Sequence, residues 1–114
     1  MLIVTNFNSS EEDIAERPAI ILTGRVHPGE SNASYIMEGI VDYVTSNDPG
    51  AHELRERFVF KIVPMLNPDG VIIGNYRCSL SASDLNRQWI CPTGRLFPEI
   101  QAVKQMMRKT LESR

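Results

Sequence analysis

The chain has 114 residues, which is enough for one compact domain and too short for two well-packed ones. Hydrophobic residues make up 42% of it, an ordinary value for a globular domain that excludes a disordered or collagen-like chain. The formal net charge of −2 argues against nucleic acid, and no apolar run approaches the roughly 18 to 20 residues of a membrane span. Because no secretion signal is visible and Cys78 and Cys91 are too few for a disulfide framework, we expect reduced thiols and a cytoplasmic location.

The first part of the chain predicts two strands. Residues 2–5 form a short apolar and β-branched run that is typical of a strand, and residues 8–13 are polar and predict a turn. Residues 19–23 form an unbroken apolar run. Such a run is typical of a strand buried on both faces, as in α/β sheets.

Two helices and a further strand follow. Apolar residues recur at spacings of three and four over residues 32–47, which predicts an amphipathic helix with Ser31 and Asn32 as candidate caps. Asp48 and Pro49 predict the start of a second, short helix, because Asp caps helices and Pro is favoured at the first helical position. Residues 58–65 indicate a second buried strand, and the order strand, helix, strand predicts a parallel pair.

The remaining residues predict one irregular segment and one helix. Residues 67–94 are rich in Asn, Asp, Gly and Ser, and irregular segments of this length in compact domains are more often functional than idle. Pro98 begins a helix with one apolar face that continues to the end of the chain. A sheet of two or three strands and a helix without a stop signal lead us to expect an incomplete α/β domain.

His27 and Glu30 are the first candidates for a functional site. They follow a predicted buried strand, at the sheet edge where ligands bind in open α/β folds. An imidazole and a carboxylate three residues apart can hold the same Zn²⁺. The alternative is a polar turn in which Glu30 lies at a helix start and interacts favourably with the helix dipole.

A second set of candidates lies in the irregular segment. Residues 71–95 hold three arginines and one acid, and they include Arg77 and the adjacent pair Asn86 and Arg87. An arginine binds a carboxylate with two parallel hydrogen bonds, and a neighbouring amide can donate to the same group. The alternative is a solvated loop with ordinary surface ion pairs. The tetrad at residues 67–70, Asn-Pro-Asp-Gly, is typical of a turn that closes a strand.

Four motifs resemble those of the zinc metallocarboxypeptidases, and most closely those of the cytosolic carboxypeptidase subfamily. They are TGRVHPGES at 23–31, PMLNPDGV at 64–71, GNYRCSL at 74–80 and DLNR at 84–87. The resemblance extends from about residue 18 to the last helix. It implies a partial, truncated carboxypeptidase-like mixed sheet flanked by helices, with residues 1–114 as the N-terminal portion of the catalytic domain.

The resemblance implies a zinc site in which His27 and Glu30 are the first two ligands and Asp84 holds the ring of His27. Zinc would polarise the scissile carbonyl and activate a water molecule, and a glutamate base would accept the proton of that water. The third ligand and the base are not present in this chain, because His52 matches no ligand position and is expected on the surface. Two protein ligands would bind zinc poorly, so we expect the chain alone to be inactive and the remainder of the catalytic domain to complete the site.

The resemblance also implies how a substrate would bind. Asn86 and Arg87 would bind its free C-terminal carboxylate, and Arg77 would stabilise the oxyanion of the scissile carbonyl. The subfamily removes glutamates from acidic proteins, so the expected partners are acidic protein C-termini, tubulin among them, with no nucleic acid or membrane. Ala82 replaces a glycine that is usual in the family, and if that position needs a positive φ, alanine costs about 1 kcal/mol there.

Two other interpretations remain open. The chain could be an inactive relative that keeps the carboxylate-binding pair and performs no chemistry. It could also be a plain α/β domain in which the motifs only close turns, and this interpretation predicts no zinc binding. A histidine and a glutamate in family context beyond the chain would support the enzyme.

Overall fold

The computed structural model describes residues 1–90 and 92–113, and within them three strands form one mixed sheet. The strands are β1 (Leu2–Val4), β2 (Ala19–Thr23) and β3 (Val59–Val63), in the order β1-β3-β2. β3 runs antiparallel to β1 and parallel to β2, with Ile20 opposite Phe60. The mixed sheet and the parallel pair confirm the fold class expected from the sequence.

Helices connect and cover these strands. They are α1 (Glu11–Glu16), α2 (Asn32–Thr45), α3 (Pro49–Arg57), α4 (Pro68–Ile73) and α5 (Pro98–Glu112), with a short 3₁₀ turn at Leu85–Arg87. α3 begins as predicted, because the Asp48 carboxylate accepts a hydrogen bond from the backbone N–H of Gly50 at 2.8 Å. Within the described part of the chain, no helix is long and apolar enough to cross a membrane.

The sheet has a hydrophobic cluster on each face. On one face, Phe60 and Ile62 of β3 pack against helix α2, through Met37 and Val44. On the other face, Val63 packs against a cluster formed by Leu85 of the irregular segment, two residues of α5 and two residues just outside these elements: Ile100, Val103, Leu66 and Phe97. Because side chains alternate along a strand, β3 serves both clusters and lies at the centre of the fold.

Two of the sequence expectations for local structure are wrong. The segment at residues 8–13 is not only a turn, because α1 begins at Glu11 and the hydroxyl of Ser10 accepts from the N–H of Asp13 at 3.1 Å. The segment at residues 67–94 is not wholly irregular, because the turn-like tetrad begins α4. Asn67 caps α4 by accepting from Gly70 N–H at 3.0 Å.

The expectation that residues 19–23 are buried on both faces is also wrong in this structure. Four residues of β2 are half-buried and Thr23 is exposed, whereas three of the five residues of β3 are buried. The reason is the strand order, since β2 lies at an edge of the described sheet. Beside it, Ala19 and Ile21 line an apolar cavity of about 300 Å³ with Met107 and Leu111 of α5.

The remaining sequence predictions concern single residues. His52 lies on α3 with its side chain 66% exposed and its Nε2 3.8 Å from Glu56 Oε1, which confirms a surface histidine. Cys78 is a free thiol. The prediction for Cys91 lies outside the described residues.

Candidate functional site

The loop between β2 and α2 carries His27 and Glu30. The imidazole of His27 is buried between two carboxylates: Nδ1 lies 3.1 Å from Glu30 Oε1, and Nε2 lies 2.9 Å from Asp84 Oδ1. A neutral ring has one donor nitrogen and one acceptor nitrogen. If Nε2 donates to Asp84, the lone pair of Nδ1 points toward the Glu30 carboxylate, so both groups present electron pairs to the same space.

This donor set fits a zinc ion as two of its protein ligands, because Zn²⁺ takes imidazole nitrogen and carboxylate oxygen. Asp84 supplies the supporting contact that a ligating histidine makes through its other nitrogen. Among residues 1–90 and 92–113, no group of three or more His, Cys, Asp or Glu side chains is placed to hold a metal ion. Within the described residues, His27 and Glu30 are therefore two candidate ligands and no third is placed beside them.

Asp84 is the centre of the cluster. Its Oδ2 accepts from both Nε and NH2 of Arg77 at 2.8 Å, and its Oδ1 accepts from the backbone N–H of Asn86 at 2.9 Å. Burial acts to raise the pKa of this carboxyl group. Hydrogen bonds from His27, the backbone of Asn86 and Arg77, together with the charge of Arg77, outweigh burial and hold the pKa of Asp84 below its ordinary value. Asp84 is thus kept ionised beside the imidazole.

The structure brings most of the predicted site residues together through this carboxylate. Asp84 Oδ1 contacts both the ring of His27 and the 3₁₀ turn that carries Asn86 and Arg87. The side chains of Asn86 and Arg87 are exposed, and NH1 of Arg87 donates to the Asn86 carbonyl at 3.3 Å. Arg77, in contrast, is already paired with Asp84. The cluster therefore has one neutralised and one outward-facing guanidinium.

Asn67 supports the site in a way that the turn interpretation missed. It is fully buried, and its Nδ2 donates to the carbonyl of Val26, next to His27, at 3.3 Å. Backbone hydrogen bonds from Leu66 to Gly24 at 2.8 Å and from Asn67 to Arg25 at 3.2 Å join the same two loops. The segment that ends β3 thus holds the loop that carries the imidazole. The tetrad itself was visible in the sequence, but this contact was not.

Arg25 is a second residue without a predicted role. Its φ of 53° places a non-glycine residue in the left-handed region, where L residues are strained. The Arg25 side chain donates to the carbonyl of Pro28 at 2.8 Å and to the hydroxyl of Ser34 at 2.5 Å. These bonds tie the loop to helix α2. Arg25 lies within the motif at residues 23–31, but the motif does not show these contacts.

Ala82 also has a φ of 53°, in the turn that precedes Asp84. The turn is closed by hydrogen bonds from Ser79 N–H to the Ser83 carbonyl and from Ala82 N–H to the Ser79 carbonyl, both at 3.0 Å. The condition stated from the sequence, a positive φ at this position, is confirmed. Alanine is accommodated there at a conformational cost that glycine would not incur.

A mixed α/β sheet, with an imidazole and a carboxylate at the carboxyl end of a parallel strand and arginines beside them, is the arrangement expected for a metallocarboxypeptidase. The comparison with known families agrees: residues 1–110 match Peptidase_M14, described as zinc carboxypeptidase. The chain belongs to the zinc carboxypeptidase family.

Individual relatives support this assignment. The chain is 50% identical over 114 residues to cytosolic carboxypeptidase 2 of Mus musculus, and it spans 13% of that protein. It superimposes with a TM-score of 0.83 on a metallo-carboxypeptidase from Burkholderia cenocepacia, at 34% identity, covering 94% of this chain and 29% of that one. It also superimposes on a metallo-carboxypeptidase from Pseudomonas aeruginosa in complex with (2-guanidinoethylmercapto)succinic acid. The TM-score of this match is 0.83 at 30% identity, and it covers 95% of this chain and 28% of that one.

Proposed function

We propose that this chain supplies two zinc ligands and the carboxylate-binding residues of a zinc-dependent carboxypeptidase. The enzyme would remove C-terminal residues, glutamate by preference, from acidic protein tails such as those of tubulin. The observation that carries the proposal is the buried His27 ring held between Glu30 and Asp84 at the carboxyl end of a parallel strand. The names of the cytosolic relatives support a cytoplasmic location.

His27 and Glu30 would hold the metal, with Asp84 fixing the ring of His27. A bound zinc ion in this class supplies Lewis-acid polarisation of the scissile carbonyl and activation of a water molecule. The third ligand and the general base would come from the remainder of the catalytic domain, which agrees with the greater length of the relatives. On this basis the 114 residues alone would be inactive.

Asn86 and Arg87 would bind the free C-terminal carboxylate of the substrate. Among the described residues Arg87 has no carboxylate partner, and its side chain is exposed, so its two parallel N–H groups are available to a carboxylate. Two guanidinium nitrogens of Arg77 donate to Asp84, and the third, NH1, would stabilise negative charge on the carbonyl oxygen. The ligand of the Pseudomonas aeruginosa relative is a dicarboxylic acid, which supports a carboxylate-binding site in this family.

The proposal is tested with the protein at its natural length and peptides that end in glutamate, in alanine or leucine, and in a C-terminal amide. We expect release of glutamate, slower release of the apolar residues and no release from the amide. Arg87→Ala should raise KM about 10- to 100-fold, because hydrogen bonds to charged groups contribute about 1.5 to 3 kcal/mol. Arg95→Ala, an exposed arginine of the same segment, is the matched control.

The outcomes separate the alternatives. Preference for apolar C-termini would contradict the glutamate assignment. Binding that depends on Arg87 without any release would favour the second candidate, an inactive carboxylate-binding module, which the incomplete set of metal ligands in the described residues also favours. If the protein does not bind Zn²⁺ and Arg87→Ala does not change peptide binding, the interpretation as a plain α/β domain would be the one that remains.

A further inference from the structure

The exposed Asn86 amide has a fixed orientation. The indole N–H of Trp89 donates to Asn86 Oδ1 at 2.9 Å. An indole nitrogen only donates hydrogen bonds, so the amide atom that faces it must be the oxygen. The amide nitrogen of Asn86 consequently points away from the indole, with both of its N–H groups available.

Helix α5 supports Trp89. Its ring packs against the buried cluster that contains Leu85, and the ammonium group of Lys104 donates to the carbonyl of Trp89 at 2.6 Å and to that of Ile90 at 3.3 Å. Lys104 is half-buried, and it lies one residue after the buried Val103. A continuous series of contacts therefore connects the core face of α5 to the surface amide of Asn86.

We propose that Trp89 is a positioning residue that sets the Asn86 amide as a donor toward the substrate C-terminus, and that Lys104 anchors Trp89 for this purpose. The inference rests on the proposed function, in which Asn86 and Arg87 bind that C-terminus. A carboxylate only accepts hydrogen bonds, whereas a C-terminal carboxamide also donates them. With the amide nitrogen fixed toward the ligand, Asn86 and Arg87 both donate, so a carboxamide can satisfy one of them with its oxygen but places its own N–H group against the other donor. The fixed orientation therefore favours free C-termini over amidated ones.

Trp89→Phe tests this, because phenylalanine keeps an aromatic ring against the cluster and removes only the N–H donor and one ring. The ligand is a glutamate-terminated peptide whose last peptide bond is reduced and cannot be cleaved, compared with its C-terminal amide, on the protein at its natural length. We expect Trp89→Phe to weaken binding of the free carboxylate about three- to tenfold, since a free Asn86 amide can rotate. Binding of the amide should change less, so that the ratio of the two Kd values falls.

A double-mutant cycle separates positioning from general damage. If Trp89 acts through Asn86, Trp89→Phe has no further effect in the Asn86→Ala background. An equal loss in both backgrounds would overturn the inference. If Asn86→Ala itself leaves carboxylate binding unchanged, the proposed function fails at this residue, whereas an effect of Asn86→Ala with none of Trp89→Phe contradicts the inference alone.

Lys104→Met provides a second route that leaves the indole in place. We expect a smaller loss of carboxylate binding, about two- to fourfold, because the Trp89 backbone loses its anchor but keeps its ring packing. Lys109→Met, on the exposed side of the same helix, is the matched control and should bind as the parent protein does. Equal behaviour of the two variants, with thermal unfolding unchanged, would refute the anchoring role of Lys104.

Discussion

Replacing Gly70 with alanine tests whether α4 is a contact point between the His27 loop and the Arg77 segment. A Cβ atom on Gly70 would overlap Cγ of Pro28, and it would lie 2.8 Å from both Asn67 Oδ1 and the carbonyl oxygen of Cys78. Overpacking of this kind costs about 1 to 3 kcal/mol. Alanine is a better helix former than glycine by up to about 1 kcal/mol, which offsets part of this cost, so we expect a net destabilisation of up to about 2 kcal/mol.

Gly39→Ala is the matched control, because Gly39 lies in the exposed middle of α2 and, apart from its chain neighbours and the backbone of its own helix, no atom lies within 4 Å of the new Cβ. The same substitution should there raise the free energy of unfolding by about 0.5 to 1 kcal/mol. Urea denaturation of both variants shows whether the two substitutions change the free energy of unfolding in opposite directions. In thermal unfolding, a change of about 1 kcal/mol corresponds to roughly 4 °C in Tm for a domain of this size. If Gly70→Ala proves as stable as Gly39→Ala, the reasoning about the contact point is refuted.

The remaining predictions concern a strained turn, a buried amide and a surface histidine. Ala82→Gly removes the strain of a left-handed alanine, about 1 to 2 kcal/mol, but the greater entropy of the unfolded glycine chain costs about 0.4 to 1 kcal/mol. The urea midpoint of unfolding should therefore rise slightly. A lower midpoint would contradict the strain at Ala82. Asn67→Ala leaves the N–H of Gly70 and the carbonyl of Val26 without their side-chain partners. Calorimetry should show that the free energy of unfolding falls by about 2 to 4 kcal/mol. A fall of less than about 1 kcal/mol would mean that water replaces the amide. His52→Gln should change stability by less than about 0.5 kcal/mol and leave Zn²⁺ affinity, measured by chelator competition, unaltered; a weaker affinity would assign His52 a role in the site.

The main elements of the fold could be predicted because their signals are local and repeated. The apolar runs of β2 and β3, the helical spacing in α2 and the Asp-Pro start of α3 each extend over several residues, and each predicted element is present. The six-residue helices α1 and α4 were missed. Asn67 shows why: a side chain that caps a helix and one that closes a turn both accept from a backbone N–H two or three residues on, so the local pattern does not separate them.

For the site, as for the fold, some local contacts could be predicted from the sequence and distant contacts could not. His27 and Glu30 are three residues apart, so their spacing alone suggested that they bind the same metal ion. In the structure, His27 Nδ1 lies 3.1 Å from Glu30 Oε1. His27 and Asp84 are 57 residues apart, and only the family resemblance connected them before the structure did. The contacts of Arg25 and the indole bond of Trp89 are local, but no motif describes them, and the bond from Lys104 to the Trp89 carbonyl spans 15 residues.

The backbone, more than the side chains, sets the position of the site. The N–H of Gly29 donates to the carbonyl of Tyr76 at 2.7 Å, which joins the His27 loop directly to the segment that carries Arg77. The bond from Leu66 to Gly24 joins the same loop to the end of β3. Because these bonds do not involve the Glu30 side chain, which is about half exposed, substitution of Glu30 should leave the loops in place. Substitution of His27 also removes the buried contact between its ring and Asp84. A loss of function is therefore attributed to a missing ligand more directly in a Glu30 variant than in a His27 variant.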